Sequence, residues 1–73
     1  MEYEVRYKLI LDDSSDIQKI SIVEAINAES IEEAFSIAEK LKGIIFQKVS
    51  TELYPKMHVA IGITAIINAC LKQ

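Results

Sequence analysis

The chain has 73 residues, a formal net charge of −3 and 51% hydrophobic residues, with a single cysteine and a single histidine. That is one domain's worth of chain, without a disulfide framework or the ligand set of a zinc cluster. Lys and Arg are scattered singly, which argues against nucleic-acid binding through phosphates.

Met1 to Leu11 alternates: Tyr3, Val5, Tyr7, Leu9 and Leu11 share one face, while Glu2, Glu4, Arg6 and Lys8 share the other. A period of two with aromatic and branched residues predicts a half-buried strand. Asp12 to Asp16, DDSSD, reads as a hairpin connection, since Asp and Ser bond to their own backbone. Three acids so close suggest calcium or magnesium, but the spacing and the missing glycine are not those of an EF-hand loop.

Ile17 to Asn27 is a second strand, with Ile20, Ile22 and Ile26 in one phase and Val23 and Ala25 in the other. The phase slip near Ile22 predicts a bulge, or else a strand covered on both faces. Glu24 reads as a rim carboxylate, because no second acid or base accompanies it.

The stretch Ser30 to Gly43, SIEEAFSIAEKLKG, predicts a helix. Ser30 and Glu33 form a capping box in which the hydroxyl accepts from the Glu33 amide and the carboxylate reaches back to the Ser30 amide. Ile31, Ala34, Phe35, Ile37, Ala38 and Leu41 make an apolar stripe, with Glu32, Glu33, Ser36, Glu39 and Lys40 opposite. Gly43 is placed to end the helix. The run Ile26 to Ala34, INAESIEEA, resembles a strand-to-helix junction recurrent in short proteins of phages and mobile elements. That resemblance implies a phage or prophage product and assigns no functional residue.

Ile44 to Val49 reads as a third strand. In the last stretch Val59, Ala60, Ile63, Ile66, Ile67, Cys70 and Leu71 fall on one side of a helix, with Pro55 suited to its first turn. The opposite side holds His58, Gly62, Ala65, Ala69, Lys72 and Gln73. The expected fold is therefore α+β, with a three-stranded, antiparallel-containing sheet and two helices in the order ββαβα. The alternative is ββαββ, because the β-branched residues of 56–72 also suit a strand.

Small residues let another backbone approach closely. His58, Gly62, Ala65 and Ala69 are accordingly the expected oligomer interface, and the surplus of apolar residues supports self-association. A symmetry axis could also make His58 a ligand. Cys70 reads as a buried, inert thiol. The uncharged run Val59 to Leu71 is well short of the ~20 residues that span a bilayer. No leader pattern opens the chain, and a lone thiol suits a reducing compartment, so a cytoplasmic location is expected.

No nucleophile, base and orienting group stand together, and the two glycines form no phosphate loop. No enzyme and no cofactor are expected. The reading is a non-catalytic module for self-assembly and protein interaction, such as a phage inhibitor or adaptor of a host protein. The alternative is binding or sequestering of a small anionic ligand such as a nucleotide, at a helix N-terminus or between subunits, with Lys48, Lys56 and Tyr54 as candidates. A third reading, nucleic acid on a sheet face, is opposed by the acidic balance.

Overall fold

The computed structural model describes residues 1–69. Strand β1 (Glu2–Asp12) and strand β2 (Ile17–Asn27) form a hairpin, helix α1 (Ile31–Lys48) crosses one face of the sheet, and strand β3 (His58–Asn68) returns beside β1. The sheet order is β2-β1-β3, with both outer strands antiparallel to β1.

The alternation of β1 builds the core. Tyr3, Val5, Tyr7, Leu9 and Leu11 are all buried under the helix, together with Ala34, Ala38 and Val49. The first three pack with Ala34 and Ala38, and Leu9 and Leu11 pack with Val49, so α1 runs in the same direction as β1. Alanines at the contact bring the helix close to the sheet. The Tyr7 hydroxyl donates to the Ala38 carbonyl at 2.9 Å, which satisfies the polar end of a buried ring.

At its start α1 follows the capping motif, with one change. The Ser30 hydroxyl accepts from the Glu33 amide at 3.2 Å, but the Glu33 carboxylate accepts from the Glu29 amide at 3.4 Å rather than from Ser30. Gly43 does not end the helix. No glycine has positive φ, and the helix continues through Ile44 and Ile45 to Lys48. The expected strand at Ile44–Val49 is thus helical, because Ala38, Leu41, Ile45 and Val49 extend the apolar stripe at steps of three and four.

Beyond Lys48 comes a π-helical turn, Val49–Leu53, closed by a Tyr54 amide to Val49 carbonyl bond of 2.8 Å. The Thr51 hydroxyl donates to the Gln47 carbonyl at 2.6 Å, and the Ser50 hydroxyl to the same oxygen at 3.4 Å. Both hydroxyls thus bond one carbonyl where the α-helix passes into the wider turn. Pro55 occupies a turn closed by the Met57 amide on the Tyr54 carbonyl at 3.2 Å, not the first turn of a helix.

The second helix expected over the last stretch is β3, so the order is ββαβ, neither ββαβα nor ββαββ, and the three-stranded sheet contains β3 instead of Ile44–Val49. The reason lies at Thr64. Tyr7 pairs with Ile63 and Arg6 with Ala65, so Thr64 is an extra residue, and its hydroxyl donates to the Arg6 carbonyl at 3.2 Å. This bulge shifts a period of two by one place, so that Val59, Ile63 and Ile66 stand at the steps of four and three that mimic a helix. Cys70, Leu71, Lys72 and Gln73, placed on that helix from sequence, lie outside the described residues. No bulge interrupts β2, whose register with β1 is continuous from Asn27 to Ile17. Nor are both its faces covered, since Val23 is 58% exposed.

Candidate functional site

Two surfaces carry the residues singled out from sequence. The first is the sheet face away from the helix. Register places His58, Ala60, Gly62 and Ala65 opposite Asp12, Ile10, Lys8 and Arg6, so all lie on this open face. Three of the four expected interface residues therefore do share one side, on a strand and not on a helix. Ala69 follows the end of β3. Along the middle of the face run Glu4, Arg6 and Lys8, and the Arg6 guanidinium pairs with Glu4 at 2.6 Å. Glu2, Glu4 and Asp12 share this strand face with Arg6 and Lys8, so the face is of mixed sign and gives no basic stripe for phosphates. Tyr3 and Tyr7 are buried on the helix side and offer no ring to a base.

The second surface is the flank of the helix above β3. Because β2 and β3 are parallel to each other and joined through α1, the connection has a hand, and such connections are right-handed. A right-handed crossing turns Ile37 and Leu41 toward β1 and β2, and Phe35, Glu39, Lys42 and Phe46 toward the outer edge of β3. Burial agrees. Ile37 and Leu41 pack against the core, whereas Phe35 is 51% and Phe46 40% exposed. Between the two rings, Lys42 pairs with Glu39 at 3.1 Å. Sequence reasoning missed this flank because it assigned Phe35 to the buried stripe and ended the helix before Phe46.

Below the flank, β3 is an edge strand of eleven residues without a charged side chain or a proline. Natural edges are normally blunted by such residues. Val59, Ile61, Ile63 and Ile66 are only half-buried although the helix lies over them. The other edge, β2, carries Lys19 and Glu24 and leaves Ile17, Ile20 and Val23 exposed.

The proposed anion residues do not converge. Lys48 lines a shallow depression of about 670 Å³ on the outer side of α1, with Lys40, Gly43, Ile44, Gln47 and Glu52. Tyr54 and Lys56 are exposed in the connection to β3 and do not line it. In the hairpin loop the Asp13 carboxylate accepts from the amides of Ser15 and Asp16 at 3.0 and 2.8 Å and from the Ser15 hydroxyl at 2.9 Å. Those bonds hold its pKa below the usual carboxylate value, the Ser15 amide first. The loop's acids are thus spent on turn geometry, and the described residues contain no group of three or more His, Cys, Asp or Glu placed to hold a metal. No helix among the described residues is long and apolar enough to cross a membrane.

No family model, curated protein or solved structure matches the chain.

Proposed function

We propose that the chain is a non-catalytic interaction module that assembles with copies of itself and binds another protein. One observation carries this reading: an uncharged edge strand, β3, lies beneath a helix, α1, that exposes Phe35 and Phe46. Apolar surface of that kind in so small a domain is normally covered by another chain. The β2 edge, with Ile17, Ile20 and Val23, is separate from it and stays available to a different protein. With the phage or prophage origin that the resemblance of INAESIEEA implies, the module would be an inhibitor or adaptor of a host protein. Native mass spectrometry of the protein purified from cells tests the reading. A multimer without added mass supports it, and a bare monomer at micromolar concentration overturns it.

A second reading, a small anionic ligand, is favoured by Lys40 and Lys48 flanking Ile44 in the depression on α1. A multimer carrying the mass of a nucleotide would move this reading to first place. A thermal-shift screen of nucleotides that shows no stabilisation would remove it, because a ligand of the native state raises apparent stability.

A further inference from the structure

Resting on the self-assembly reading, we infer that two copies of this chain pair antiparallel through their β3 edges about a two-fold axis, making a six-stranded sheet with adjacent α1 helices. The geometry points to a second copy because the exposed flank is complementary to itself. In antiparallel array, Phe35, Glu39, Lys42 and Phe46 meet the same four residues in reverse order. Phe35 then faces Phe46 of the second copy, and Glu39 faces its Lys42. Every ring meets a ring and every charge its opposite. The interface of a two-fold dimer must be self-complementary in this way.

The strand agrees with the helix on where the axis passes. The centre of the flank falls midway between Glu39 and Lys42, about 4 Å along α1 from Ala38. Ala38 is bonded to Tyr7, which pairs with Ile63. One strand residue further in the same direction is Gly62. An axis at Gly62 sets Gly62 against its own copy and Ile61 against Ile63. It brings no like charges together, since β3 has no charged side chain. The bulge at Thr64 lies outside this central segment.

The area is also sufficient. About an axis at Gly62, residues 58–66 of β3 face the same stretch of the second copy, a length of about 30 Å. With a helix above it, the edge stands about 20 Å tall. That makes roughly 600 Å² from each copy, at the lower end of the range for a standard interface.

The test uses the full chain and two kinds of variant, each checked for native circular dichroism. Lys42→Glu sets like charges across the axis and should weaken the dimer about tenfold or more. The swap Glu39→Lys/Lys42→Glu restores both opposite pairs and should recover wild-type affinity, which a general loss of charge would not do. Gly62→Cys in a Cys70→Ser background should form a covalent dimer under mild oxidation, since opposed strand residues lie within disulfide reach. A Cβ at Gly62 meets nothing within 4 Å, so the variant is sterically free. Val23→Cys, exposed on the other edge strand, should not cross-link. If the wild type is a dimer but Lys42→Glu leaves its Kd unchanged and Gly62→Cys stays uncross-linked, the β3 pairing is overturned and self-assembly through another surface stands. A wild-type monomer overturns both.

Discussion

The phenol of Tyr7 on the central strand donates to the main-chain carbonyl of Ala38, 31 residues later, at 2.9 Å. The bond ties the middle of β1 to the middle of α1 at the point where both residues are fully buried. Removing the hydroxyl takes away one buried neutral hydrogen bond but leaves the ring packed. Tyr7→Phe should therefore cost about 1 kcal/mol. Urea denaturation should show a lower midpoint with an unchanged slope, because the core surface is conserved.

The same residue makes stability depend on alkaline pH. Burial raises the Tyr7 pKa above 10.0, and the charges of Glu24 and Glu39 raise it further. The unfolded phenol then ionises first. Stability from this group is fully present below pH 10.0 and is lost as pH rises through the higher folded value. Denaturation followed across that range should show a decline in the wild type. Tyr7→Phe should flatten the decline, leaving only what the other titrating groups contribute.

Asp13 works in the opposite direction at low pH. Its folded pKa is lowered from 3.8 by the bonds it accepts from the Ser15 amide, the Asp16 amide and the Ser15 hydroxyl. Its contribution is present above 3.8 and is lost as pH falls through the lower folded value. A side-chain carboxyl titration by NMR should find Asp13 below the usual Asp range. Ser15→Ala should move it only part of the way back, because both amides still donate.

How far the fold can be read from the sequence depends on how many local signals agree. In β1 the alternation and the residue types give one answer, and the buried face is the one they name. At Ser30 the cap fixes where α1 begins. Past Gly43 two signals conflict: Ile44, Ile45 and Val49 favour strand by type, but Ile45 and Val49 extend a helical stripe by spacing. Spacing prevails because Ile45 and Val49 can bury against Leu9, Leu11 and Ile61. In β3 the reverse happens, since the Thr64 bulge gives a strand the spacing of a helix. The grouping of His58, Gly62 and Ala65 survives that error because steps of four and three keep one side in a helix and also in a strand with one extra residue. The flank of Phe35, Glu39, Lys42 and Phe46 was hidden because Phe35 reads as part of the buried stripe and Phe46 joins it only when the helix runs past Gly43.

Gly43 itself offers a direct check of that longer helix. It lies inside α1 with negative φ, and a Cβ added there meets nothing within 4 Å. A glycine that ended the helix in a left-handed conformation would resist substitution, and Gly43→Ala would destabilise the fold. In the interior of a helix the sign reverses. Alanine narrows the unfolded ensemble and loses no contact, so Gly43→Ala should add roughly 0.5–1 kcal/mol. Thermal denaturation should show a higher midpoint, by several degrees for a domain of this size. A lower midpoint would mean that the chain turns at Gly43 and that Phe46 does not share the flank with Phe35.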